Sequence, residues 1–374
     1  MPVTFVSAYS EMGGGEVYLE SLLGCLGQEW IRTVILLEEG EFAERLRGRG
    51  FPVNVVNAPR RRGVLRGAWL LRRELRLDPP RVIHANGAKA ALVSSLAAGG
   101  TGFPVLWSKI DSALDGKAAR LVARGCDQIV GISESTVATF RGMTRRKVHV
   151  VYPGLPDYPV DRADGRRLVR KVLGVGDDVQ VVVLSGRLCP AKGQRELLEA
   201  SPAIIEKRPR TRLAFLGGES RAYPGFEAFL RRRAAELGVE GAIAFLGHRS
   251  PAISSVADAV RFVSGCDVLV APSRREQVSG WAEGFGLAAV EAMRVGTPVV
   301  AYRHGSLPEV LGDCALIVPE GDRHSLGDAV VAALSDPRLA TRMATSGRRR
   351  SDRYPLATSV VGMQARYRSS AKPL

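Results

Sequence analysis

Apolar residues along the chain fall into short dense runs, separated by longer stretches where they recur every three or four positions. The dense runs in the first half are VTFVSA (3–8), IRTVILL (31–37), VNVVNA (53–58), RVIHA (81–85), PVLWSK (104–109) and QIVGIS (128–133). Each is rich in β-branched residues and short enough for a buried strand. Between them lie helical patterns. In GEVYLESLLGCLGQE (15–29), Val17, Leu19, Leu22, Leu23 and Leu26 can share one face. The second half repeats the theme with QVVVLSG (180–186), TRLAFLG (211–217), GAIAFLG (241–247), DVLVAPS (267–273), TPVVAY (297–302) and CALIVP (314–319). GQRELLEASPAIIEK and GFEAFLRRRAAELG are helical patterns between these runs. Strands alternating with helices predict βαβ units on parallel sheets covered by helices. The prolines and polar residues of YPGLPDYPVDRADG (152–165) break both periods, so a domain boundary and hinge are expected there. In such folds ligands sit at the carboxyl ends of strands, which directs attention to the loops that follow them.

Length agrees with this division, since 374 residues exceed what one core normally organises. The formal net charge of +15 raises nucleic acid or a membrane surface as partners. Against a nucleic-acid role, Arg outnumbers Lys by 45 to 8, the basic clusters are scattered, and aromatics that could stack bases are not interleaved with them. Solvated helix faces are the first reading, an anionic lipid surface or acidic partner the second, and nucleic acid is not expected. One cluster, RRRGVLRGAWLLRRELR (60–76), contains a tryptophan and raises membrane docking; the ordinary reading of its apolar residues is the core face of a helix. Cys25, Cys126, Cys189, Cys266 and Cys314 are dispersed without a CxxC pair, so neither a disulfide framework nor a zinc site is expected. The opening residues lack the pattern of a secretory leader, and no apolar run reaches the ~18 residues of a membrane span. A cytoplasmic protein, in peripheral membrane contact on the second reading of the charge, is expected; the oligomeric state is not readable.

Three loops carry candidate chemistry. Gly13, Gly14 and Gly15 follow the first strand and open a helix, where backbone N–H groups can approach an anion; a tight turn explains them equally well. GRLCPAKG (186–193) sets Arg187 and Lys192 five residues apart, suited to gripping a diphosphate from two sides, or simply solvated. AEGFGLAAVEAMRVGTPVVA (282–301) places Glu283 and Glu291 around a small turn. With a helix starting near Gly284, the two lie roughly 12 Å apart along it. That spacing suits the span of a sugar nucleotide and is too long for the ~5–9 Å carboxylate pair of a hydrolase. The N–H groups of Phe285, Gly286 and Leu287 would then face the diphosphate.

With EGFGLAAVE (283–291), GRLCPAKG, FLG at 245–247, APS at 271–273 and GTPVVAYRHGSLPEVLGDCALIVPEGD (296–322), the sequence resembles the retaining glycosyltransferases of family 4. The resemblance covers nearly the whole chain. It implies the α/β GT-B fold: two Rossmann-like parallel-sheet domains facing across a cleft, with a C-terminal helix crossing back to the N-terminal domain. The corresponding division is 1–155 for the acceptor domain, 156–350 for the nucleotide-sugar donor domain and 351–374 for the returning helix. It also implies that Glu291 binds the donor ribose, that Glu283 lies near the donor sugar, and that Arg187 and Lys192 contact the diphosphate beside Gly186. His248 and Arg249 would lie beside the base, with Gly14, Gly15, Gly284, Phe285, Gly286 and Leu287 lining the donor. Relatives often carry a histidine at a position that falls here at or beside Ile110; Lys109, Asp111 or His84 is the candidate replacement, and His84 joins Glu283, Arg187 and Lys192 as a candidate catalytic residue. The implied reaction is metal-independent, cofactor-free transfer of a sugar from a nucleoside diphosphate donor, UDP by family frequency, to a hydroxyl acceptor in natural-product (antibiotic) or glycan biosynthesis. A GT-B epimerase or phosphorylase, and a non-catalytic polyanion- or membrane-binding protein, are the alternatives.

Overall fold

A computed structural model describes residues 1–8, 10–58, 63–112, 115–140, 147–247, 252–276 and 280–371. The chain divides into two compact units: Met1–Pro156 with Val278–Phe285 and Tyr354–Leu374, and Asp157–Gln277 with Gly286–Arg353. The expected strands are present in both halves; the interior ones are buried apolar runs, while Val53–Val55, Ile243–Gly247 and Leu316–Val318, at sheet edges, are half-buried.

Unit 1 holds a seven-stranded sheet of order β3-β2-β1-β4-β5-β6-β7. Its strands are β1 (Val3–Ser7), β2 (Ile31–Leu36), β3 (Val53–Val55), β4 (Val82–Asn86), β5 (Val105–Lys109), β6 (Gln128–Gly131) and β7 (Val148–Val150). Every pairing among them is parallel. The strand β7 has no counterpart among the sequence expectations, because three residues after a basic run carry too little pattern to register. On one face the sheet shares a single core with the helices Gly63–Leu77, Ala88–Ala98 and Lys117–Arg124. The helix Leu356–Ser370 also belongs to this unit and packs on the first helix, Gly14–Cys25. Its entry is pinned by Leu356 N–H donating to Leu155 carbonyl at 3.0 Å, and by Leu155 N–H donating to Tyr354 carbonyl at 2.9 Å. The returning C-terminal helix of the GT-B pattern is therefore present.

Unit 2 holds a six-stranded sheet of order β10-β9-β8-β11-β12-β13, also parallel. These strands are β8 (Gln180–Ser185), β9 (Thr211–Leu216), β10 (Ile243–Gly247), β11 (Val268–Ala271), β12 (Val299–Tyr302) and β13 (Leu316–Val318). In both sheets the first strand of the unit sits in the interior, with the strand order reversing beside it: between β1 and β4 in unit 1, and between β8 and β11 in unit 2. At such a reversal the loops leave in opposite directions and open a crevice at the strands' carboxyl ends. Among the described residues, no helix is long and apolar enough to cross a membrane.

Candidate active site

Unit 2 places the basic loop and the acidic helix on either side of its reversal point. Arg187 and Lys192 follow β8, and Glu291 lies on the helix Leu287–Val295 that follows β11. The helix starts at Leu287 rather than near Gly284, because Gly286 adopts the left-handed conformation (φ 83°, ψ 50°) that caps its N-terminus. Glu283 is thus outside the helix, in unit 1, while Glu291 is one turn inside it, in unit 2. This corrects the expectation of both carboxylates on one continuous helix. Leu287 retains its expected place at the helix N-terminus, where backbone N–H groups lack partners within the helix.

The basic loop is rigidly seated. Gly193 is left-handed (φ 75°), and a Cβ there would lie 2.0 Å from the Pro272 carbonyl oxygen. Gln194 donates to the Arg187 carbonyl at 2.8 Å, and Arg274 N–H donates to the Ala191 carbonyl at 2.9 Å. Buried Glu196, in the helix Gln194–Lys207, binds Arg274 at 2.7 Å and Arg323 at 2.8 Å, tying that helix to the loop after β11 and to the start of the helix Arg323–Ser335. The stem of Lys192 runs past Gly186, whose missing Cβ would contact it at 3.7 Å. Arg187 and Lys192 both remain partly exposed.

Glu291 receives the Tyr158 hydroxyl at 3.4 Å. Burial raises its carboxyl from the ordinary 4.5 to about 7, and the Tyr158 hydrogen bond opposes that rise. The Tyr158 phenol is pushed upward by its own burial and by the Glu291 charge. Arg294, one turn further along the helix, is turned to Asp157 at 3.3 Å and to the Ser351 carbonyl at 2.9 Å. No sequence signal marks Tyr158: it stands in a proline-rich segment whose pattern indicates a boundary and nothing more.

In unit 1 the glycine turn, β5 and the Glu283 segment converge on Ile110. A Cβ on Gly15 would meet the end of the Ile110 side chain at 2.5 Å, and a Cβ on Gly284 would meet the Ile110 carbonyl oxygen at 2.1 Å. Asn86, at the end of β4, donates to the Gly15 carbonyl at 3.3 Å. Phe285 is a buried anchor against Tyr152 and Tyr354, with ring centroids 6.3 and 5.2 Å away. Gly14, Gly15, Ile110 and Gly284 are therefore neighbours, with Glu283 beside them in the chain.

Neither of two proposed replacements for the missing histidine faces outward. Lys109 is 1% exposed, ion-paired to Asp115 at 2.7 Å and bonded to the Asp111 carbonyl. His84 is fully buried in mid-sheet: its Nδ1 meets the Tyr367 hydroxyl at 2.6 Å and its ring packs on Phe5 at 5.1 Å. Desolvation lowers its pKa to about 3, so it is neutral at any working pH. His84 is a core residue that docks the C-terminal helix, and its assignment as a site residue is corrected accordingly. The reason is register: His84 lies two positions before the end of β4, under Tyr367, and Asn86 takes the strand end. His248 and Arg249 lie outside the described residues.

Comparison with known proteins agrees with this architecture. The model of the glycosyl transferases group 1 matches residues 165–350, and that of the glycosyl transferase 4-like domain matches residues 13–154. The GDP-mannose-dependent alpha-(1-6)-phosphatidylinositol monomannoside mannosyltransferase of Mycolicibacterium smegmatis is 32% identical over 70% of this chain and 66% of its own length. Its counterpart in Corynebacterium glutamicum, acting on the monoacylated form, is 28% identical over 72% of this chain and 68% of its own. Among solved structures, Anabaena HepE in complex with UDP and glucose superposes with a TM-score of 0.85 at 23% identity, over 99% of this chain and 100% of that one. The chain belongs to the family 4 type of GT-B glycosyltransferases.

Proposed function

We propose that the protein transfers a hexose from a nucleoside diphosphate sugar to a hydroxyl acceptor, with retention at the anomeric carbon. What supports the reading is that the β8/β11 reversal has on one side a seated basic loop and on the other a helix N-terminus that bears a desolvated carboxylate one turn in. Glu291 would accept both ribose hydroxyls, and Arg187, Lys192 and the N–H groups at Leu287 would grip the diphosphate. As the glycosidic bond breaks, negative charge collects on the leaving diphosphate, and pre-placed cations and amides stabilise that charge more than the ground state. The departing phosphate oxygen would take the acceptor proton on the same face, giving retention without a protein nucleophile or a metal. Unit 1, with its glycine turn, Ile110 and Glu283, would hold the sugar and acceptor.

For the donor, the two named relatives favour GDP-mannose over the UDP-sugar expected from family frequency. The acceptor class these relatives suggest is a polyol hydroxyl on a lipid-linked or phosphorylated glycan precursor; nothing in the fold favours a natural-product acceptor. Calorimetric titration with GDP, UDP and ADP tests the reading. Micromolar binding of one of them, lost in Glu291→Ala, is expected; binding of none, or binding indifferent to Glu291, refutes it. The anomeric proton coupling of the product then reports the stereochemistry.

A further inference from the structure

The helix Gly63–Leu77 turns Gly67, Ala68, Leu71 and Leu75 into the core, which accounts for its fold. Its opposite face is not the polar face such a helix normally presents. Leu65 is 76% exposed, Trp69 63% and Leu77 72%. These are large side chains whose exposure costs solubility and which no packing within the described chain explains. They interleave with exposed Arg66, Arg73 and Arg76. The neighbouring helices extend the pattern: Leu96 stands out from Ala88–Ala98, and Leu121 stands out from Lys117–Arg124. All three helices cover the same face of the unit 1 sheet, and Arg72 locks the first to the second by donating to the Ala97 carbonyl at 2.9 Å. Of the six large hydrophobic residues exposed among the described residues, five lie on this one helical layer. Carboxylates near the first helix are engaged elsewhere: Glu74 accepts from Asn54 at 2.7 Å, and Asp78 pairs with Arg32.

We propose that this helical layer is a docking surface for an anionic lipid bilayer. Apolar side chains ringed by arginine match the depth profile of a bilayer interface, where indole and leucine enter the acyl boundary and guanidinium groups stay among the phosphates. A second copy of this chain is a poor occupant, because the same arginines would face each other across the contact and the whole chain carries +15. The attraction draws on both parts of the surface, so removing either part should release the protein.

The test uses the full chain and sucrose-loaded vesicles of phosphatidylcholine, with or without about one third phosphatidylglycerol, spun down at low and at physiological salt. Sedimentation with the anionic vesicles and not with the neutral ones is expected. Two surface variants, Leu65→Ser with Trp69→Ser, and Arg66→Gln with Arg73→Gln and Arg76→Gln, should each lower vesicle partitioning at least about tenfold, with melting temperature and nucleoside diphosphate affinity in solution unchanged. Failure to sediment with anionic vesicles at low salt overturns the proposal, as does equal sedimentation of the parent and both variants. Sedimentation velocity showing a dimer that the Leu65→Ser, Trp69→Ser variant dissolves overturns it too, by assigning the face to a second copy. The donor reading stands or falls separately, on the calorimetry.

Discussion

Replacing Glu291 by glutamine should make the protein more stable and less able to bind its donor. The carboxyl of Glu291 titrates at about 7 in the fold against an ordinary 4.5, chiefly because burial disfavours its charge. Between those two values the folded carboxyl keeps a proton that the unfolded chain has already released. Stability therefore falls as pH rises through that window, and the full penalty is reached above about pH 7. Each pH unit corresponds to about 1.4 kcal/mol, which sets a ceiling near 3 kcal/mol. Glu291 keeps intermediate exposure, so about half of that is the working value. Glutamine preserves the shape and an acceptor for the Tyr158 hydroxyl while removing the charge. At pH 8 Glu291→Gln should raise the melting temperature by roughly 3–6 °C, and at pH 4.5 the two proteins should melt together. The same variant should weaken nucleoside diphosphate binding by a factor of ten or more, since in the proposed site a neutral amide would replace the carboxylate that accepts two charge-assisted bonds from ribose. Thermal melts at the two pH values and calorimetry at pH 8 decide it. A gain equal at both pH values would show that packing, not charge, is responsible. A loss of stability at pH 8 would refute the desolvation argument.

The other perturbations follow from the same geometry. Lys192→Ala would remove one side of the proposed diphosphate grip, and at ~2–5 kcal/mol for a charge-assisted contact it should slow donor turnover by at least about 30-fold; near-normal turnover would take Lys192 out of the site. His84 is held neutral with its pKa near 3, so the unfolded chain binds a proton that the fold refuses. Stability should drop by about 2 kcal/mol between pH 6.5 and 5, and chemical denaturation of His84→Gln should lack that component. Gly284→Ala sets a methyl against the Ile110 carbonyl oxygen, and Gly193→Ala meets Pro272 in a left-handed conformation. Each should cost about 2 kcal/mol or more in thermal melts, whereas Gly15→Ala, opposed only by the tip of the Ile110 side chain, should cost clearly less.

The fold was legible because a parallel sheet buried on both faces writes its strands as uninterrupted β-branched runs, and the loops between them were long enough to be helices. What could be read of the site divides along a physical line. Gly193, Arg187 and Lys192 belong to one short loop, so their joint placement follows from local chain geometry. Glu283 and Glu291 are eight positions apart across a left-handed glycine, and no local pattern reveals that Gly286 ends one unit's segment and starts the other's helix. The same limit explains His84 and Tyr158. A histidine in VIHANG has two candidate exits from the strand, and only a partner 283 residues away, Tyr367, decides which face it takes. Tyr158 acquires meaning only through Glu291, 133 residues on.

These two tyrosines show how one chain meets opposite demands on buried polar groups. Tyr367 closes over His84, whose Nε2 has no partner among the described residues; the histidine answers by giving up its charge, and the C-terminal helix is fastened at neutral pH without a buried charge, the cost reduced to one unpaired neutral nitrogen. Among the described residues Tyr158 closes over Glu291 with a single long hydrogen bond, too little to hold a carboxylate comfortably, and the group rests near its titration point instead. A carboxylate left under-solvated in this way is primed for a ligand that brings two hydroxyl donors, because binding restores the hydrogen bonds that burial removed. On that argument donor affinity should strengthen as pH rises from 6 to 8, and that gradient should vanish in Glu291→Gln; a flat calorimetric profile in the parent protein would mean that the ribose does not sit on Glu291.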